Sequence, residues 1–135
     1  MKKIITGFIV VLFLGLAGVL VVRLVNVLAG KVATISSEEL KQQLDSKKAP
    51  ILLDVREVEE LTDDLDHLPG IIHIPIGTLS NRISEMEEHK GKEIVTICRA
   101  GVRASKAAKI LMKAGFKQVK VLEGGMMAYR KAEGH

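Results

Sequence analysis

The chain contains a single cysteine, Cys98, in the run Cys98-Arg99-Ala100-Gly101-Val102-Arg103. A thiol is a nucleophile once it is a thiolate, so its neighbours decide whether it does chemistry or only packs. The apolar run Ile94-Val95-Thr96-Ile97 precedes it and reads as a buried strand. Ala104-Ser105-Lys106-Ala107-Ala108-Lys109-Ile110-Leu111 follows and reads as a helix. The thiol therefore falls where a strand ends and a helix begins. Backbone N–H groups at a helix N-terminus are unpaired and carry partial positive charge. A loop at such a point can turn its amides inward as a nest for an anion. Arg99 and Arg103 add charge of the same sign. Each effect favours thiolate over thiol. The competing reading is a buried cysteine acting as a small hydrophobe. Against it stand the two arginines, the helix start and Gly101, whose freedom permits a tight turn. A packing cysteine needs none of them.

A second pair with chemical potential is Asp54 and Arg56, at the end of Ile51-Leu52-Leu53-Asp54-Val55. It reads as a support that orients the cysteine loop or as a structural ion pair. His67 belongs to a turn. Neither it nor His73, His89 or His135 has a ligand partner at metal-binding spacing, so no metal and no cofactor is expected. One cysteine also excludes an intrachain disulfide.

Charge is segregated along the chain. Glu57, Glu59, Glu60, Asp63, Asp64 and Asp66 fall in one ten-residue stretch without a base. Residues 99–120 carry only bases, and Lys106, Lys109 and Lys113 among them fit a solvated helix face. The formal net charge is +4, but Lys2, Lys3 and Arg23 supply most of it, and the rest of the chain is close to neutral. That balance gives no footprint for nucleic acid binding.

The elements that must position these residues alternate. Val32–Ile35, Ile51–Val55, Ile71–Ile74, Ile94–Ile97 and Val119–Leu122 read as strands. Between and after them, helices are expected from Ser36, with Glu39 completing a capping box, over Leu79–Glu88, over Ala104–Ala114 with Gly115 as its cap, and over Met126–Lys131. Glu57–Leu61 is expected to form a short helix or turn. Near-continuous apolar strands alternating with helices indicate an α/β domain with a mostly parallel sheet. In such sheets functional groups gather beyond the carboxyl ends of strands, where Cys98 and Asp54 both lie.

Ile4 to Val22 is an uncharged run of nineteen residues, which as a helix spans about 28 Å, close to the thickness of a bilayer core. A cleaved signal peptide is the alternative, but its apolar region is shorter, and Arg23 would intrude before the small-residue site at Val27-Leu28-Ala29. The chain is thus expected to comprise an anchor and tether over 1–30 and one domain over 31–135. The anchor would cross a bacterial-type inner membrane once. Lys2 and Lys3 favour an inside N-terminus and a domain outside the cytoplasm, while Arg23, Lys31 and Lys41 oppose it. No Gly-x-x-x-Gly spacing argues for anchor dimerisation, and the oligomeric state stays open.

Residues 32–133 resemble the single-domain rhodanese, or thiosulfate sulfurtransferase-like, family. Four motifs in order carry the resemblance. They are Leu52-Leu53-Asp54-Val55-Arg56-Glu57, His67-Leu68-Pro69-Gly70-Ile71-Ile72-His73-Ile74-Pro75, Cys98 to Arg103, and Leu122-Glu123-Gly124-Gly125-Met126. Two positions depart from the family pattern. Ala104 stands where the family often has Ser, and Tyr129 where it often has Trp. The resemblance implies a three-layer α/β fold and sulfur transfer through a persulfide on Cys98. The loop Arg99, Ala100, Gly101, Val102 and Arg103 would bind the substrate, an anionic sulfur donor such as thiosulfate, and the acceptor would be a thiol or cyanide. A non-catalytic, membrane-tethered sulfur carrier or partner-binding module is the alternative. Cysteine phosphatases and arsenate reductases share a Cys…Arg loop, but with five intervening residues, whereas four separate Cys98 from Arg103.

Overall fold

A computed structural model describes residues 17–22, 24–25 and 30–135. The segment expected to cross a membrane, residues 4–22, lies mostly outside them. Among the described residues no helix is long and apolar enough to cross a membrane. Val32–His135 fold as one unit.

Five apolar runs become β1 (Ala33–Ile35), β2 (Ile51–Asp54), β3 (Ile72–His73), β4 (Ile94–Ile97) and β5 (Val119–Leu122). They form one sheet in the order β1-β5-β4-β2-β3, and every pairing is parallel. Four helices accompany them: α1 (Ser37–Leu44), α2 (Ile76–Arg82), α3 (Val102–Lys113) and α4 (Gly125–Glu133). Side chains alternate between the two sheet faces, as the pleat requires. Leu53, Ile94, Val119 and Val121 pack with Leu79 of α2 and Ala107, Ala108 and Leu111 of α3. Leu52, Val95, Ile97 and Leu122 pack with Leu40 of α1 and Met126 and Tyr129 of α4. Two cores on one sheet make three layers, and β4 is the central strand. Ser36 caps α1 by accepting the Glu39 N–H at 3.1 Å.

Several boundaries differ from expectation, those of the first two strands and of the Glu57–Leu61 turn by one residue each. The edge strand β3 shrinks to two residues because it is bonded on one side only. The helix expected over Leu79–Glu88 instead runs from Ile76 and passes into a 3-10 segment at Ile83–His89. Its first turn follows Pro75 directly and contains Gly77 and Thr78, poor helix formers that mask the Ile76–Leu79 repeat. α3 starts two residues early, at Val102, and α4 runs from Gly125 to Glu133.

Candidate active site

Cys98 follows the last residue of β4, and the chain then turns through Gly101 at a φ of +105°. Gly101 occupies the position that caps α3 and has no side chain to do so. The sulfur of Cys98 takes that part. It accepts the Gly101 N–H at 3.0 Å and the Ala104 N–H at 3.3 Å. These amides are two that a helix start leaves without partners. The Ser105 hydroxyl closes the turn by donating to the Gly101 carbonyl at 2.9 Å. Cys98 is only 1% exposed and joins the apolar core. Burial and paired donors thus coincide: the sulfur sits low in the loop, under two N–H groups placed for an anion.

The sequence alone points to the amides of Arg99 to Arg103. Of these, Gly101 reaches the sulfur. The second donor, Ala104, escapes sequence reasoning, which begins the helix there. With Gly101 as the cap, Ala104 becomes the third helical residue, and its amide has no carbonyl to bond. The available signal was Gly101 itself. The Ala104 side chain is fully buried.

The other wall is the start of α4. The N–H groups of Met126 and Met127 donate to the carbonyls of Cys98 and Arg99 at 2.9 and 3.0 Å. Those bonds bring the two backbones so close that a Cβ on Gly125 would overlap both carbonyl oxygens, and its φ is +60°. Only glycine meets both demands. Met126 packs in the core, whereas Met127 is exposed.

The two charge-segregated stretches meet at this loop. Val58–Thr62 forms a 3-10 turn after β2. Glu60 from that turn grips Arg103 with both oxygens, at 2.6 and 2.7 Å. Asp63 pairs with Arg99 at 2.8 Å, and Asp64 lies 3.7 Å from the same guanidinium. Arg99 and Arg103 are therefore each paired with a carboxylate while remaining partly exposed. The partners lie 36 and 43 residues away in sequence, where no local pattern reveals the match. Val102 and Ala100 point to solvent.

The Arg103 hydrogen bond, helped by the Glu57 N–H, lowers the Glu60 pKa from 4.5 to about 2. The same bond raises that of Arg103. A depressed carboxyl contributes stability above its unfolded pKa and loses it as pH falls through the folded one. Urea unfolding of Glu60→Gln is expected to show a loss of roughly 1–2 kcal/mol at neutral pH, allowing for solvent screening. The two proteins should converge as pH falls from 4.5 to about 2. Parallel curves over that window would remove the ion pair from the stability of the fold.

Asp54 and Arg56 are both fully buried. Arg56 Nε contacts both Asp54 oxygens, at 3.0 and 3.1 Å, and its Nη2 reaches Oδ2 at 2.8 Å. The rest of the guanidinium donates to the carbonyls of Glu60 at 2.9 Å and Asp66 at 2.7 Å. His73 Nε2 lies 2.8 Å from the Arg56 carbonyl oxygen. The pair thus holds the acidic segment in place, and through Glu60 and Asp63 acts on the cysteine loop at one remove. Among the described residues no cluster of His, Cys, Asp and Glu is arranged to hold a metal ion.

Known proteins share this architecture. A putative sulfur carrier protein of Bacillus subtilis, YrkF, is 41% identical over 73% of this chain, which spans about half (51%) of the relative's length. A putative sulfurtransferase of the same organism, YtwF, is 37% identical over 73% of this chain and 91% of its own. The crystal structure of a rhodanese-like domain protein from Staphylococcus aureus superposes with a TM-score of 0.65 at 28% identity, covering 73% of this chain and 91% of the other. The model of the rhodanese-like domain matches residues 36–132, which take in α1 to α3, all but the last residue of α4 and four of the five strands described above, and the chain therefore belongs to the rhodanese-like family.

Proposed function

We propose that the protein is a sulfurtransferase that carries sulfane sulfur as a persulfide on Cys98. The observation that carries this reading is the pair of N–H donors, from Gly101 and Ala104, on the cysteine sulfur. With thiosulfate as donor, the Cys98 thiolate attacks the outer sulfur. A new S–S bond forms, and the old one breaks with its electron pair leaving on sulfite. The acceptor, cyanide or a thiolate, then attacks the outer sulfur of the persulfide, and Cys98 leaves as thiolate. Dividing the transfer in two replaces one difficult encounter with two simple displacements. The names of YtwF and YrkF agree with a sulfur-handling role.

The test is thiocyanate formation from thiosulfate and cyanide by the full chain, with the bound sulfur read by mass. Turnover with one extra sulfur on Cys98 is the expected result. A folded protein that never acquires the sulfur would overturn the reading. A protein that holds the sulfur but turns over slowly would be a carrier, an outcome that the low exposure of Cys98 favours for bulky donors.

We further propose that residues 4–22 anchor the protein in a bacterial-type inner membrane, with the domain outside the cytoplasm. Among the described residues, Val19, Leu20, Val21, Val22, Leu24 and Val25 are large apolar side chains that stand exposed. The protein is expected to stay with membranes through alkaline carbonate washing and to be cut by protease added to spheroplasts. Release by carbonate would refute the anchor, and protection from protease would reverse the orientation.

A further inference from the structure

Among the described residues of Val32–His135, three large apolar side chains are strongly exposed: Val58 at 60%, Val102 at 81% and Met127 at 51%. Isolated exposed apolar residues are ordinary. Each of these three sits on an element bonded to the Cys98 loop. Val58 lies in the 3-10 turn whose Glu60 grips Arg103. Val102 opens α3 beside Arg103. The Met127 amide holds the Arg99 carbonyl. The segment from Glu57 to Asp66 carries Glu57, Glu59, Asp64 and Asp66, all exposed, of which Asp64 lies 3.7 Å from Arg99 and Asp66 2.9 Å from the His67 ring, while Glu60 and Asp63 pair with the two arginines.

Exposed apolar side chains beside exposed carboxylates suit a larger partner bearing apolar side chains and positive charge. We propose that the mouth of Cys98 docks a protein segment in which the acceptor thiol is flanked by Lys or Arg and an apolar residue. The inference rests on the sulfur-transfer reading and names its acceptor. The acceptor thiolate attacks the outer sulfur of the Cys98 persulfide, the S–S bond to Cys98 breaks, and Cys98 keeps the electron pair. A protonated persulfide supplies the proton now on the acceptor persulfide, and no redox partner is needed.

The experiment loads the full chain with sulfur from polysulfide, removes the excess, and confirms one added sulfur on Cys98 by mass. Single-turnover transfer is then timed to two peptides of equal length, each with one cysteine and a neighbouring leucine. One peptide carries flanking lysines, the other glutamates. The lysine peptide is expected to react at least about tenfold faster at low salt, with the gap closing as ionic strength rises. Lysines also raise the thiolate fraction of the peptide itself, so the deciding comparison keeps the peptide constant. The double variant Glu59→Lys, Asp64→Lys should slow the lysine peptide at least about fivefold and quicken the glutamate one. Equal rates for the two peptides, or a preference that survives the charge reversal, would overturn the docking surface alone. Failure of Cys98 to take up sulfur would overturn the transfer reading, and the docking proposal with it.

Discussion

Cys98→Ser is expected to leave the chain folded while sulfur transfer falls more than about a thousandfold. A serine hydroxyl is a far weaker nucleophile at neutral pH, and its oxygen cannot store sulfane sulfur as a persulfide. Its structural part is easier to replace. The new oxygen can still accept from the Gly101 and Ala104 amides, now bonded to sulfur at 3.0 and 3.3 Å, so the cap of α3 survives. The smaller atom leaves a slight void among buried neighbours, a loss on the order of 1 kcal/mol. Circular dichroism melting beside the thiocyanate assay separates the two effects. Activity within tenfold of the wild type would take the sulfur off Cys98 altogether.

Asp54→Asn attacks the fold where charge is buried deepest. Arg56 is fully enclosed, and Asp54 is the carboxylate that meets its guanidinium edge to edge. An asparagine keeps the shape but removes the charge and turns N–H donors towards a group that is itself all donor. Breaking a buried pair on one side costs about 3–5 kcal/mol, because the remaining ion is buried without its main countercharge, keeping only two backbone carbonyls and the Asp63 carboxylate 4.0 Å away. That is a large part of the stability of a domain of this size. Urea unfolding should register it, and a loss below about 1 kcal/mol would mean that water reaches the pair. Function should suffer as well, even where the variant remains folded. Arg56 also holds the carbonyls of Glu60 and Asp66, so a displaced guanidinium loosens the segment that grips Arg99 and Arg103.

Much of this arrangement was legible in the residues alone, and the reason is range. The strand Ile94–Ile97, the helix behind it and the Gly101 turn between them follow from neighbours a few positions apart. Periodicity and the conformational freedom of glycine act at that distance. The same holds for the Ser36 cap and for the alternation of strands and helices that implies a parallel sheet with Cys98 and Asp54 at its carboxyl edge. Where the local signal is thin, the boundaries slipped. α3 begins at Val102, not Ala104, and that shift alone makes Ala104 a donor to the sulfur.

What only the tertiary structure decided is who meets whom. The sequence shows an acidic stretch and a basic one but not that Glu60 closes on Arg103 across 43 residues. That contact exists because β2 and β4 are neighbours in the sheet, so the segments leaving their ends are brought face to face. The burial of Cys98, the overlap that reserves position 125 for glycine, and the exposure of Val58, Val102 and Met127 on elements bonded to the cysteine loop arise in the same way. Local chemistry set the cysteine and its loop. The order of the strands surrounded it with carboxylates, and strand order is set by the packing of the whole sheet, which no short stretch of residues encodes.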